Sequence, residues 1–431
     1  MTRHLLTTHL RSAAPVLMAA AGGLAAPHAD AQTQSEVYDH VEQRLNELEA
    51  QIEDQEGGGQ ASWSPYVSEF GGRIMYDQTF SVDSDSSLED AVAGGDDLEE
   101  GAELRRARFF AEGSVAPWLA YKLQIDFGDG DVSTKDAYLQ AHGLGTLPSV
   151  KVGHFKEPIS LQEQTSSKYI SLMSRTMLTD GVISQGRSHG LMLTDHYGED
   201  QVNVALGVFD IDQGGTGAIT GRITSPLVYA GDGRQVLHVG ASLSQRNVDD
   251  YSLGLEPEVH KTNDFVTTDG DIAVDDTLVS GLELGAVLGP AHFQSEYGQV
   301  DVSTDSSDPS VDTYYAQGGV FLTGESRPYD KADGGFDRVK PASPFTGMNT
   351  GPGAWELVAR YSSLDAEELA GEALQGGGTV GSPGVAETTV TTLGLNWYPV
   401  AHAKWMLNYV DADQDAYGDA SYVATRFQVD F

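Results

Sequence analysis

The last ten residues, 422–431, read YVATRFQVDF and decide the fold class. Apolar or threonine side chains stand at every second position from Val423 to Phe431. From Thr425 onward, the residues between them are Arg426, Gln428 and Asp430. Successive side chains of an extended strand point to opposite faces, so this pattern predicts a β-strand with one apolar and one polar face.

The same two-residue period recurs along the chain from about residue 66. The predicted strands are 66–80, 103–115, 118–127, 135–142, 149–155, 189–197, 201–209, 218–226, 235–246, 280–289, 291–302, 313–324, 353–362, 388–398, 402–410 and 422–431. About sixteen such strands, each roughly ten residues long, are typical of a transmembrane β-barrel. One face of each strand then meets lipid and the other lines water, which explains the low mean hydropathy of −0.28.

The connections between these strands alternate in length. Short turns predominate at one end, and the long connections 81–102, 156–188, 247–279 and 363–387 lie at the other. An even strand number places both chain ends on the periplasmic side and the long loops outside. The connection 325–352 is long but falls on the periplasmic side.

Aromatic residues near the strand ends support the membrane assignment. Such residues form a girdle at the lipid interface. They are Trp118, Trp355, Trp397, Trp405, Tyr361, Tyr398 and Tyr409. The alternative is a soluble β-sandwich or solenoid, but a sandwich uses fewer and shorter strands.

The composition narrows the function. The 431 residues include 64 Asp and Glu against 25 Lys and Arg, a net charge of −39, and no cysteine. This charge disfavours nucleic acid as a partner, and the missing cysteines exclude disulfides. The chain lacks nucleophile-elbow, zinc-protease and Walker motifs, so we expect no enzyme, no cofactor and no metal site.

The N-terminal region predicts export and self-association. Residues 1–31 combine basic residues, an apolar run and a small-residue cleavage motif, as a signal peptide does. Apolar residues at heptad spacing from Tyr38 to Ile52 predict a short coiled-coil helix within 32–60, followed by a glycine linker. A lone amphipathic helix is the alternative. The barrel domain is 61–431.

Ordered blocks of residues across 66–431 resemble the phosphate-selective porins O and P of Gram-negative outer membranes. The blocks are 104–108 (LRRAR), 112–113 (EG), 135–138 (KDAY), 152–158 (VGHFKEP), 165–170 (TSSKYI), 323–329 (TGESRPY), 338–341 (RVKP), 355–357 (WEL), 360–362 (RYS) and 393–398 (LGLNWY). The resemblance implies a sixteen-stranded barrel in the outer membrane, a homotrimer in contact with outer-membrane lipid, and a third long loop folded inward as a constriction. Segment 156–188 occupies the position of that loop.

The resemblance also implies a set of pore residues. Matching by motif gives the candidate anion-binding residues Arg73, Arg105, Arg106, Asp136, Ser166, Ser167 and Arg175. It further implies a periplasmic basic cluster with Lys331 and Lys340. Where the family would have a constriction lysine, this chain has Glu163, a departure that weighs against high phosphate affinity.

The strand period independently places Arg106, Arg108 and Glu112 on the lumen face of strand 103–115. Arginine suits phosphate oxygens bidentately, so we expect Arg106 and Arg108 to attract anions. The alternative is that these arginines pair with Glu112 and Asp126 and stiffen the wall.

The leading hypothesis is therefore a water-filled porin for small anions such as phosphate. The alternatives are a general or cation-tolerant diffusion porin, and a structural barrel with little conductance. Most acidic residues lie in the predicted outer loops and in 32–60. This distribution suggests a saline habitat, in which salt screens the repulsion, or divalent cations that bridge the loops.

Overall fold

A computed structural model describes residues 66–198, 201–210, 217–268, 271–305, 307–348, 350–369 and 387–431. The predicted signal peptide (1–31) and coiled-coil segment (32–60) lie outside these ranges, and both stay predictions.

Sixteen antiparallel strands form a closed barrel, which confirms the predicted fold class and strand number. In chain order the strands of the structure are β1 (Glu69–Ser84), β2 (Gly101–Ala116), β3 (Leu119–Asp126), β4 (Ser133–Ala141), β5 (Ser149–Lys156), β6 (Arg187–Tyr197), β7 (Val202–Asp210), β8 (Gly217–Ala230), β9 (Gln235–Asn247), β10 (Asp250–Tyr251), β11 (Gly254–Leu255), β12 (Val266–Thr267), β13 (Ile272–Ala273), β14 (Asp276–Leu288), β15 (Ala291–Ser303), β16 (Ser310–Phe321), β17 (Tyr329–Asp330), β18 (Gly335–Phe336), β19 (Ala354–Asp365), β20 (Thr388–Val400), β21 (Ala403–Gln414) and β22 (Gly418–Asp430). The two-residue strands β10 to β13, β17 and β18 form small pairs within connections, and β22 closes the barrel on β1.

Helices are short and confined to connections in the described ranges. Two of them are α-helices, Ser86–Val92 and Leu161–Gln164. Two more are 3₁₀ turns, Gly128–Gly130 and Glu367–Leu369, and one is a π-type turn, Leu178–Val182. None of these helices has the length and the apolar character needed to cross a lipid bilayer.

The two faces of the wall differ as the alternation predicts. On β22 the side chains of Phe427 and Val429 are exposed on the outer surface, whereas Arg426 is buried inside. On β2, Phe109 is 42% exposed and Arg106 and Arg108 are buried. An outer surface of large apolar residues is what a lipid-embedded barrel presents.

An apolar core fills the barrel interior along the wall of β14–β16 and β19–β22. The inner face of β15 changes from polar to apolar along the strand, from His292 and Gln294 beside the short turn after β14 to Val300 and Val302 toward the opposite end of the strand. Apolar side chains of three long connections pack there. They include Leu88 of 85–100, Met173, Met177, Leu178, Val182 and Ile183 of 157–186, and Leu253, Leu255, Val259, Phe265, Val266 and Ile272 of 248–275.

The connection 248–275 therefore differs from its expected position as an outer loop. Leu255 and Phe265 are buried beside the segment 157–186, and the Phe265 amide donates to the Leu255 carbonyl at 2.9 Å. The physical reason is the hydrophobic effect: burial of this connection's apolar residues favours an inward fold, while Glu256 remains half-buried at a cavity.

The connection 157–186 crosses the barrel interior and is tied to the opposite wall. The amides of Leu161 and Gln162 both donate to the Glu296 carboxylate at 2.8 Å. Arg426 Nη1 donates to the Met173 carbonyl at 2.6 Å. Because these bonds reach β15 and β22, the segment is held across the lumen.

The aromatic residues at the strand ends fit the girdle with one exception. Trp355 and Trp397 stack with centroids 5.7 Å apart, and Trp118 and Tyr409 are exposed on the outer surface. Tyr398 instead is buried and points inward, where its hydroxyl donates to Glu356 at 2.6 Å. Tyr398 therefore belongs to the interior hydrogen-bond network, because register places it on the inward face of β20.

Candidate permeation pore

The inner wall formed by β1 to β6 is basic, and it borders a cavity of about 660 Å³, the main cavity. The basic side chains that line the main cavity are Arg73, Arg108, Lys122, Lys151, Lys156 and Arg187 from the strands and Lys168 and Arg175 from segment 157–186. Asp136, Ser166 and Ser167 line it too. The structure thus brings six of the candidate residues to one cavity: Arg73, Arg108, Asp136, Ser166, Ser167 and Arg175.

A second cavity of about 370 Å³, the outer cavity, lies toward the extracellular end. Arg105 and Arg175 line it together with Glu256, His260 and Asp264 of the connection 248–275. Arg175 borders both cavities, so it stands where the two meet.

A β-bulge explains how Arg105 and Arg106 both reach the interior. Met75 pairs with Arg106 and Asp77 pairs with Glu103, so Leu104 and Arg105 together oppose the one residue between Met75 and Asp77. An extra residue interrupts the strict alternation of faces. Arg105 consequently lines the outer cavity, with Nη2 2.6 Å from His260 Nε2.

Arg106 is buried without a counter-ion among the described residues. Its side chain is 6% exposed, Nη1 lies 3.7 Å from the Met75 sulfur, and Nε has no hydrogen-bond partner there. The charges that act on it belong to other arginines, foremost Arg105 and Arg108. A buried cation without a partner is destabilising. Arg106 is not among the residues that line the main cavity or the outer cavity, so it acts on those spaces only through its charge.

Several other pore arginines have carboxylate partners. Arg108 Nε lies 2.6 Å from Asp126 Oδ2, which is the pairing that the alternative interpretation of the arginines expects. Arg187 binds both oxygens of Asp136, at 2.9 and 3.3 Å. Asp136 therefore orients Arg187 in this structure.

Glu163 forms ion pairs with two cations of the main cavity. Its carboxylate lies 3.2 Å from Arg175 Nε and 3.3 Å from Lys156 Nζ. Burial alone would raise the pKa of Glu163, but Arg175 and Lys156 outweigh burial and hold that pKa below its ordinary value. Glu163 is therefore a carboxylate at neutral pH and reduces the positive charge beside the lumen.

Two cations at the lumen are held without a carboxylate partner in the described chain. Arg73 Nη1 donates to Ser167 Oγ at 2.6 Å. Lys168 Nζ lies over the rings of Phe110 and Tyr169, 5.7 and 5.3 Å from their centroids. Arg73 and Lys168 are thus available to a passing anion.

The periplasmic connection 322–353 contributes an acidic strap, residues 329–337, to the main cavity. Its strands β17 and β18 pair, and Tyr329 and Phe336 pack against Leu161 of the segment 157–186. The strap carboxylates that line the cavity are Asp330, Asp333 and Asp337, in addition to Glu69, Glu112 and Asp136 of the barrel wall.

The predicted periplasmic basic residues lie elsewhere on this connection. Lys331 Nζ lies over the Tyr229 ring, 5.2 Å from its centroid, and Lys340 is exposed. Neither is among the residues that line the two cavities. Their role as an anion-guiding cluster stays a prediction.

The sequence interpretation missed five basic residues of the main cavity, one of which is Lys156 at the end of β5. Lys122 and Lys151 lie at polar positions of alternating strands, so the strand period could have identified them. Lys168 and Arg187 lie in or next to the long segment 157–186, whose path through the lumen follows from tertiary contacts.

Comparisons with known proteins agree with this geometry. The family model "Phosphate-selective porin O and P" matches residues 78–431. Porin O of Pseudomonas aeruginosa is 26% identical over 353 residues, covering 73% of this chain and 77% of that protein. An uncharacterised protein of Caulobacter vibrioides is 28% identical over 384 residues, covering 84% of this chain and 73% of that protein.

Solved porins share the fold. An anion-selective porin from Comamonas acidovorans superposes with a TM-score of 0.53 at 13% identity, covering 84% of this chain and 99% of that chain. Three observations point to the same family: the closed barrel, the inward segment and the family match over most of the chain. The chain belongs to the phosphate-selective porin O and P family, and it is an outer-membrane porin.

Proposed function

We propose that this porin conducts small anions by passive diffusion, with phosphate and related oxyanions as preferred permeants. The observation that carries the proposal is the basic lining of the main cavity, in which Arg73 and Lys168 have no carboxylate ion-pair partner among the described residues. Guanidinium groups bind oxyanions through paired N–H donors, and a lumen of low dielectric strengthens that attraction.

The proposed route passes the two cavities in series. An anion that enters from outside meets Arg105 and Arg175 in the outer cavity and then Arg73 and Lys168 in the main cavity. Ser166 and Ser167 supply hydroxyl donors beside these cations. Selection by positioned charges and donors needs no covalent chemistry.

The test is a planar-bilayer recording in a potassium chloride gradient, with phosphate added as a competitor for chloride current. We expect a reversal potential of the anion-selective sign, and a lower conductance with weaker phosphate block in Arg73→Ala. Arg234→Ala, an exposed arginine in a periplasmic turn, is the matched control. A clear preference for cations would overturn the proposal.

A general or cation-tolerant porin is the second candidate, and Glu163 is the observation that favours it. Its ion pairs with Arg175 and Lys156 lower the net positive charge at the lumen. The same recording separates the candidates, because a general porin conducts chloride without phosphate block. A structural barrel would show no single-channel conductance.

We propose that the protein is a homotrimer in outer-membrane lipid with a periplasmic N-terminal helix. Family resemblance and the predicted heptads of 36–56 support this assembly. Cross-linking of the detergent-solubilised full chain tests the oligomer, and deletion of 36–56 tests the contribution of the helix. A monomer in the full chain would contradict the trimer.

A further inference from the structure

Both cavities have charges of opposite sign on facing elements. In the main cavity, cations of the barrel wall and of segment 157–186 share the space with Asp330, Asp333 and Asp337 of the strap. In the outer cavity, Arg105 and Arg175 share the space with Glu256 and Asp264. The carboxylates come from connections that enter the barrel from opposite ends, so the same arrangement occurs twice.

The strap carboxylates form no close ion pair with the cations, although Asp333 and Lys151 attract each other across the cavity. Within the described residues no ion pair joins Asp330, Asp333 or Asp337 to a basic group; Asp330 Oδ1 instead accepts the amides of Ala332 and Asp333 at 2.8 and 3.3 Å. Arg73 and Lys168 on the other side also have no carboxylate ion-pair partner in the described chain. Lys151 Nζ lies over the Tyr138 ring, 4.6 Å from its centroid.

The strap is anchored, so its charges are held away from the basic wall. Asn203 Nδ2 donates to the Lys331 carbonyl at 2.6 Å, and Arg222 Nη2 donates to the Gly334 carbonyl at 3.1 Å. The Phe336 amide donates to Thr165 Oγ1 at 3.3 Å. These three bonds fix the backbone of the strap across the cavity from Arg73 and Lys168.

A buried acceptor of the basic wall also has no partner. Gln124 lines the main cavity, its side chain is 3% exposed, and its Oε1 accepts no hydrogen bond from the described residues. An O–H of hydrogen phosphate or an N–H of an ammonium group can donate to this oxygen, so Gln124 provides an acceptor for either kind of permeant on the basic wall.

We infer that the main cavity selects small zwitterions that carry an oxyanion and an ammonium group a few carbon atoms apart, such as aminoalkylphosphonates. The oxyanion binds Arg73 and Lys168, and the ammonium group faces Asp330, Asp333 and Asp337. A cavity of about 660 Å³ holds a molecule of this size. The inference rests on the proposed anion conductance and names a permeant class for the same pore.

The test compares 2-aminoethylphosphonate with propylphosphonate, which has the same number of heavy atoms and no amine. Each compound is titrated against the chloride conductance of the full-length porin in planar bilayers at pH 7. We expect 2-aminoethylphosphonate to halve the conductance at a concentration at least fivefold lower than propylphosphonate does. If the two compounds halve the conductance of the unmodified protein at the same concentration, the inference is overturned, and no variant is needed.

The triple variant D330N/D333N/D337N tests the assigned partner, because asparagine keeps the Oδ1 acceptor used within the strap. We expect the ratio of the two blocking concentrations to fall to about one while block by phosphate persists. The control D131N/D232N/D365N removes the same charge from exposed positions outside both cavities and should retain the ratio. A ratio that survives in the strap variant refutes the inference. If the unmodified protein shows no phosphate block and prefers cations, the proposed function is refuted instead.

Discussion

Glu163 reduces the net positive charge of two cations beside the lumen. It pairs with Arg175 and Lys156, the cations that stand between the strand wall and the inward segment. Glu163→Gln keeps the shape and frees both cations, so phosphate block should strengthen about fivefold, equivalent to about 1 kcal/mol. The measurement is the half-blocking phosphate concentration.

Exposed Glu367→Gln provides the control for that substitution, because it removes one negative charge from an outer connection. Equal or weaker phosphate block in Glu163→Gln than in the control would show that Glu163 does not limit anion affinity.

Lys168 makes the pore sensitive to pH above neutrality. Burial, together with the nearby Arg73 charge, lowers the pKa of Lys168 to about 8. The ammonium group is therefore present at pH 7 and largely lost at pH 9, so anion preference should decrease across that interval. Reversal potentials measured from pH 6 to 9 follow the change.

Two variants separate the contribution of Lys168 from that of Glu256, which also titrates in this range. Burial raises the pKa of Glu256 to about 7, and its ionisation also lowers anion preference as pH rises. Glu256→Gln should reduce the decrease in anion preference that occurs below pH 8. Lys168→Arg should remove the decrease that occurs above pH 8. An unchanged profile in Lys168→Arg would contradict the assignment.

The position of single residues could be predicted only where a regular strand carries them. Arg106 and Arg108 follow the two-residue period and point inward as predicted. Arg105 breaks the period, because the bulge at 104–105 is a local departure that alternation cannot reveal. Lys168 depends on the path of a connection, which the tertiary contacts decide.

At the scale of elements, Arg327 anchors the strap to the barrel wall. It is 2% exposed, Nη1 donates to Gln294 Oε1 at 2.6 Å, and the guanidinium lies 3.7 Å from the Phe336 ring centroid. Arg327→Met removes the charge-assisted bond, worth about 1.5–3 kcal/mol. We expect a less rigid strap and a single-channel conductance about 1.5-fold higher.

Single-channel recordings measure that change, and Lys340→Met on the exposed part of the same connection is the control. A conductance equal to that of the control would mean that the strap does not narrow the passage.

The barrel strands were predictable because each is long enough to repeat its period several times. The inward fold of 248–275 was not, because its acidic residues suggest solvent exposure while its burial depends on partners such as Met173 and Met177 from a distant segment. The pairing of β17 with β18 was likewise hidden, since two residues are too few to show a period.

At the scale of the whole molecule, the net charge of −39 makes stability depend on salt. At 1 M salt the screening length falls to about 3 Å, so repulsion among exposed carboxylates largely disappears. We expect the melting temperature in detergent to rise by several degrees between 0.05 and 1 M potassium chloride. Greater stability and anion preference in low salt would refute the saline interpretation.

Comparison of magnesium chloride with potassium chloride at equal ionic strength tests whether divalent cations bridge the acidic connections. The described residues contain no group of three His, Asp or Glu side chains arranged to hold a metal ion. An additional rise in melting temperature with magnesium would indicate bridging between acidic connections. The same melting temperature in both salts would leave screening as the cause.

The apolar core on the β14–β22 wall separates two tasks within one barrel. Its valines and methionines hold the inner connections in place, and the charged side chains of β1 to β6 face the open passage from the other side. Substitutions on the charged wall can alter the permeant without loosening that core. Selectivity in this lineage can therefore evolve by point mutation while the scaffold's ability to fold and insert is inherited unchanged.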